Sequence, residues 1–289
     1  MIAAGFSIQK FISVETRSIS NLILYAFTPC LVFVLIVNSS LQVGEWLGVT
    51  IVAVVSTLVL VAVSWAASRA FHLKRELMSA MILSSSFVNA GNYGMPLSLF
   101  AFGEKGLELA VIFYIVGTLL SFTVGVFIAC RGRYGFSESV ASVLRLPLIY
   151  ALIAAVAVRL GGFNLPQGVL RGLNLMGQAA IPAMLILLGV ELARSTSKRA
   201  DLVNLKWLGL SSGIKLLFPI FFVSQFAVFI GLRGLASSVA LVQASMPTAV
   251  YMAVITTKYG GNSRFVTSGI VMSTLASIVT LTLLLSYLI

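Results

Sequence analysis

The chain is poor in charge. Aspartate, glutamate, lysine and arginine make up 9% of its 289 residues, where a soluble domain carries about 25%. Acids are scarcer than bases, 8 against 19. Only 2 cysteines are present, Cys30 and Cys130. Both fall in apolar stretches, so they read as small core residues rather than a disulfide. The 1 histidine is His72. It sits beside Lys74 and Arg75 and reads as a solvated loop residue. No His-Glu-x-x-His sequence and no paired intramembrane aspartates occur, which argues against a membrane-embedded enzyme. No catalytic residue, cofactor or metal is expected. Met1–Lys10 lacks a basic segment ahead of an apolar core, so no secretory signal peptide is expected.

What is abundant is apolar sequence, 59% of the chain. Long uncharged runs occupy Ile19–Val37, Trp46–Ser68, Leu77–Phe102, Leu109–Cys130, Leu146–Val158, Leu173–Val190, Trp207–Leu232, Gly234–Thr257 and Phe265–Ile289. Lys215 interrupts the seventh. Most reach the roughly 20 residues that a membrane-spanning helix needs. Leu146–Val158 is shorter and relies on Arg145 and Arg159 to snorkel from its ends. The reading is an all-α integral membrane protein with about nine spans in contact with the lipid bilayer.

The net charge of +11 does not indicate nucleic acid, because the basic residues lie in short loops between spans. Alternating the loops puts Lys105, Arg159, Arg171 and Arg233 on one side. Lys215 is inside a span, and the remaining 14 of the 19 basic residues are on the other side. The positive-inside rule assigns that second side to the cytoplasm of a cell membrane and places the C-terminus outside.

The sequence repeats weakly at a spacing of about 150 residues. Leu22-Ile-Leu-Tyr-Ala-Phe-Thr-Pro29 matches Leu175-Met-Gly-Gln-Ala-Ala-Ile-Pro182. The run holding Asn89-Ala-Gly-Asn-Tyr-Gly-Met-Pro96 matches the one holding Ser245-Met-Pro-Thr-Ala-Val250, and Leu109–Cys130 matches Phe265–Ile289. The expected division is a first repeat at 1–130, a cytoplasmic connection at 131–145 and a second repeat at 146–289. An odd number of spans per repeat inverts the second relative to the first, a transporter signature. The second half has five spans. The first has four after a stub, Met1–Lys10, so the first repeat is expected to be one helix short.

Asn89–Pro96 lies at membrane depth and should interrupt its helix, given two glycines, two asparagines and a proline. Freed backbone groups there are tolerated only against protein or a wet cavity. Together with Met246-Pro-Thr-Ala-Val250, the Pro29 and Pro182 spans and Gly189-Val-Glu-Leu-Ala193, this motif resembles the auxin efflux carrier family of membrane transporters. The resemblance runs from about Gly5 to the C-terminus. It implies a bile-acid-symporter-like fold of ten helices in two inverted five-helix repeats, the fourth and ninth crossing at their breaks. It further implies transport of an organic anion such as auxin, malate or malonate. The missing first helix leaves a transport-inactive sensor or scaffold as the alternative.

Pro96 and Pro247 suit the first turn of a new half-helix. Each such turn presents unpaired N–H groups and a positive dipole end, and two converging ends make an anion site. Asn89, Asn92, Ser245 and Thr248 add side-chain hydrogen bonds, Gly91 and Gly94 admit a ligand close to the backbone, and Met246 lies within the second break. Tyr93 and Tyr251 flank the breaks and could cover an apolar substrate body. Lys215 has three readings: positive potential for an anion, a partner for Glu191, or a side chain snorkelling to the cytoplasmic edge. Glu191 is the one acid at membrane depth, so neither proton nor sodium coupling is established, although backbone carbonyls at the breaks could hold a cation. The Pro29 and Pro182 helices are expected to make repeat-to-repeat or subunit contacts, which would include those of a homodimer.

Overall fold

The computed structural model describes residues 1–12, 14–130, 144, 146–163, 165–196, 204–259 and 261–289. The expected connection at 131–145 lies almost wholly outside them. The described chain is mainly helical. The helices are α1 (Ile2–Ile12), α2 (Thr16–Leu22), α3 (Thr28–Val37), α4 (Val43–Ala70), α5 (Arg75–Ser86), α6 (Met95–Leu120) and α7 (Val126–Ala129). After the connection come α8 (Pro147–Gly161), α9 (Gln167–Gln178), α10 (Ala180–Thr196), α11 (Leu205–Phe229), α12 (Gly234–Ala244), α13 (Tyr251–Lys258) and α14 (Ser263–Leu288). Single π-helical turns join α2 to α3 (Ile23–Phe27), lead into α6 (Ala90–Gly94) and join α6 to α7 (Ser121–Gly125). Among the described residues 6 helical stretches are long and apolar enough to cross a membrane.

Burial is arranged for lipid. Phe229 and Tyr287 are 84% and 86% exposed, whereas Lys215, Gln243, Ser85 and Ser211 are 0% exposed. A soluble protein sorts these residue types the other way. Helices in a bilayer gain little by hiding leucine and associate through small and polar residues. Many buried hydroxyls bond back to their own helix. Thr57 donates to Ala53 at 2.8 Å, Ser68 to Ser64 at 2.7 Å and Ser85 to Met81 at 2.6 Å.

The packing is two-fold. α1 lies on α10 as α8 lies on α3. The same exchange relates α4–α5 to α11–α12, α4–α6 to α11–α14, α6–α12 to α14–α5, and α4–α12 to α11–α5. The stub expected before Lys10 is thus a helix, and it occupies the place that α8 holds in the second half. It packs backbone to backbone: a Cβ at Gly5 would collide with the Ile186 carbonyl, and one at Gly189 with the Ile2 carbonyl.

Two boundaries differ from the sequence reading. The expected spans Leu77–Phe102 and Leu109–Cys130 meet at a single residue, Gly103 (φ 69°, ψ −163°), inside α6. A Cβ on Gly106 would stand 2.8 Å from the Ser98 carbonyl, so the chain folds back at this point. Glycine reaches that positive φ without a Cβ clash. The run Leu173–Val190 belongs to a longer stretch that starts at Gln167 and is interrupted at Ala179 between α9 and α10.

Candidate functional site

The first crossing helix stops at Ser86, and Phe87 turns extended (φ −100°, ψ 124°). The second, α12, stops at Ala244. Between the stops and the next helical turns the two chains pair antiparallel, with Val88 opposite Thr248. The Asn89 amide donates to the Pro247 carbonyl at 2.8 Å, and the Ala249 amide to the Phe87 carbonyl at 3.0 Å. This reciprocal pair of bonds is the unit of an antiparallel ladder. It supplies partners to backbone groups that the helix breaks have freed at membrane depth.

Pro96 takes the expected place in the first turn of α6. Pro247 does not. It lies in the extended segment, level with Asn89, and the half-helix begins only at Tyr251. Register explains the difference: the pairing with Val88 fixes residues 247–249 as ladder, so helix can resume only afterwards.

On the first side the Gly94 amide makes the first helical bond, to the Asn89 carbonyl at 3.0 Å. The amides of residues 90–93 precede it and have no partner within the helix. Fewer donors remain on the second side. The Thr248 amide donates to Ser273 Oγ at 3.1 Å, and the Ala249 amide is in the ladder. The Thr248 hydroxyl donates to the Ser84 carbonyl, so Thr248 fastens the crossing and does not project a free hydrogen bond. Asn89 Nδ2 and Ser245 Oγ are buried without a hydrogen-bond partner. Gly91, Gly94 and Met246 are buried, while Asn92 and Tyr93 are half-buried.

Gly94 admits a neighbour. A Cβ there would collide with Gln243 Oε1. Gln243 Nε2 donates to Ser98 Oγ at 3.0 Å, and its Oε1 is buried without a partner. Gly91 stands against the Tyr114 ring, where a Cβ would lie 2.9 Å from Cε2. Tyr251 shares a hydrogen bond with Ser121 Oγ at 2.7 Å and stacks on Phe122 at 5.9 Å between ring centroids. Sequence reasoning missed Gln243, Ser98, Tyr114 and Ser121. Gln243 did carry a signal, as an amide side chain within an apolar span.

Lys215 does not snorkel. It is 0% exposed, and Nζ donates to the Ala244 carbonyl at 3.1 Å. It does not pair with Glu191 either. Among the described residues the ion pair is Lys105–Glu45 at 3.4 Å, and Glu191 Oε2 is buried without a partner. Glu191 lies on α10, which packs against the π turn at Ala90–Gly94. His72, expected as a solvated loop residue, is exposed at the end of α4 with φ 52°.

A polar crossing of two interrupted helices, set in a shell whose outer face suits lipid, defines a multi-pass membrane transport protein built on an inverted repeat. The chain belongs to the membrane transport protein family, whose model matches residues 4–139 and 138–285. It is 27% identical to an uncharacterized transporter of Methanocaldococcus jannaschii, over 93% of this chain and 88% of that protein. An uncharacterized transporter of Methanothermobacter thermautotrophicus is 26% identical, over 93% of this chain and 88% of its own. A Rhizobium meliloti protein named "Putative malonate transporter" is 26% identical, over 91% and 84% respectively.

Proposed function

We propose that the protein is a secondary carrier of a small organic anion, a carboxylate or dicarboxylate, working by alternating access around the crossing. The observation that carries this reading is the ladder at Val88 and Thr248, which holds the starts of α6 and α13 together at membrane depth. Helix starts attract anions through unpaired N–H groups and dipole without a full charge. The amides of residues 90–93, with Asn89, Asn92, Gly91, Gly94 and Pro96, form the larger share of the site. Ser245, Met246 and Pro247 line the second strand, Thr248 locks it, and Tyr251 closes one side.

The name of the Rhizobium meliloti relative makes malonate the first substrate to try. In the proposed division, 1–130 and 146–289 are the two repeats. The membrane is the cell membrane, with the side whose loops carry most of the lysine and arginine inside and the C-terminus outside. The test is counterflow in proteoliposomes loaded in turn with malonate, malate, an indole carboxylate and a neutral diamide. Carboxylates exchange and the diamide does not. Equal uptake of the diamide sinks the anion site, and binding without flux leaves a sensor built on the carrier fold.

A further inference from the structure

Lys215 lies deep in α11, and its ammonium has an unusual partner for a buried charge. The last carbonyls of a helix lack partners within it and form the negative end of its dipole. At the end of α12, the Leu241 and Val242 carbonyls accept from the Ser245 amide, and the Gln243 carbonyl accepts from Met246. The Ala244 carbonyl remains, and Lys215 Nζ bonds it at 3.1 Å. Ser211 and Ser212, one turn earlier on α11, and Ser245, next to Ala244, have buried hydroxyls without partners. No carboxylate is in ion-pair range of Lys215 among the described residues. The charge is therefore held by a helix end and its carbonyl, and not by a carboxylate.

The other half-helix is finished differently. Ser84 of α5 holds the position that the two-fold relates to Ala244, and its carbonyl accepts from the neutral Thr248 hydroxyl. One helix end is thus capped by an alcohol and the other by a cation. In carriers with interrupted helices, unwound carbonyls and half-helix C-terminal ends are where a coupling cation is coordinated. A lysine ammonium offers a unit charge and three donors at the same point.

We propose that the Lys215 ammonium is a tethered cation occupying the place of a diffusible one, so that the crossing is completed without sodium or potassium. Its consequence for flux rests on the carrier reading above; its consequence for binding does not. Removing the side chain to Cβ leaves a negative helix end, a free carbonyl and orphan hydroxyls, which is a site for a small monovalent cation.

The test uses the purified full chain in two assays. Thermal unfolding is followed in sodium, potassium, methylammonium and choline chlorides at equal ionic strength, and malonate counterflow is measured in the same salts. The parent is expected to unfold at one temperature and to exchange malonate at one rate in all four. Lys215→Ala is expected to lose flux about tenfold or more in choline, as a charge-assisted hydrogen bond is lost. Sodium or methylammonium raises its unfolding temperature and restores flux. Lys215→Met, which fills the space without charge, is expected to stay impaired in every salt.

Stabilisation of the parent by sodium overturns the proposal. So does Lys215→Ala that ignores both small cations, or Lys215→Met that is as active as the parent. Should neither variant fold, the parent decides: indifference to the cation upholds the proposal and sodium stabilisation overturns it. If malonate does not exchange at all, the carrier reading has failed for that substrate, and the unfolding series still decides the role of Lys215.

Discussion

Replacing Gly94 by alanine tests whether the crossing depends on the close approach of Gln243. The backbone itself accepts the change, since Gly94 has helical angles (φ −66°, ψ −48°). On propensity alone, Gly→Ala within a helix gains about 1 kcal/mol. The new methyl, however, stands where Gln243 Oε1 lies. Gln243 is 0% exposed, so its carboxamide can leave only by giving up the bond to Ser98 Oγ at 3.0 Å. Losing that bond costs about 1 kcal/mol, and a buried amide donor left unpaired costs about 1–3 kcal/mol in total. The sum is a net destabilisation of about 0–2 kcal/mol, too small to prevent folding.

The displaced carboxamide disturbs the packing of α12 against the π turn at Ala90–Gly94, so counterflow should fall far more than stability. The double variant Gly94→Ala, Gln243→Ala removes the clashing group. It should recover the propensity gain, with a coupling of about 1 kcal/mol or more between the two positions in a thermal-unfolding cycle. Additive effects of the two substitutions refute the reasoning, because they mean the side chains do not meet.

Two further outcomes follow from the geometry. Gly189→Ala drives a Cβ into the Ile2 carbonyl and the Phe6 amide of α1. It should lower stability by about 1–3 kcal/mol, read as the unfolding temperature, because the obstructing atoms are backbone. Thr248→Val keeps the shape but removes the donor to the Ser84 carbonyl. It should cost about 1–3 kcal/mol and slow malonate exchange; unchanged stability in detergent would show that the hydroxyl does not fasten the crossing.

The first break was legible because Asn89–Pro96 gathers residues that each oppose a helix, and its position needs no knowledge of the rest of the chain. The second was legible as a break but not in register. Ser245–Val250 contains no glycine, and which of its residues are extended is decided by pairing with Val88 across the molecule. Helix α1 was read as a stub because its 11 residues fall short of a span. Its place is fixed by Gly189, far along the chain, whose missing side chain admits it. Gln243 and Tyr114 were hidden for a related reason. A hydropathy window averages over the single polar side chain, and Tyr114 matters only because Gly91 makes room for its ring. Lys215 was visible as an intramembrane charge, but its acceptor is a carbonyl, and carbonyls carry no sequence signal.

The hydroxyls that bond back onto their own helices have a mechanical consequence. Ser68, Ser85, Thr57 and Ser121 each satisfy themselves on the preceding turn. Three of them make a second bond to another helix: Ser85 with Ser64, Ser68 with Met81 Sδ and Ser121 with Tyr251. Bonds between separate segments lie at the crossing, from Asn89–Pro247 to Gln243–Ser98 and Lys215–Ala244, and also outside it, as from Ser39 to Glu108 and from Arg159 to the Ile36 carbonyl. A hydroxyl already bonded to its own turn can lose its second partner without being left unsatisfied, so such contacts between helices break at less cost than the bonds of the crossing.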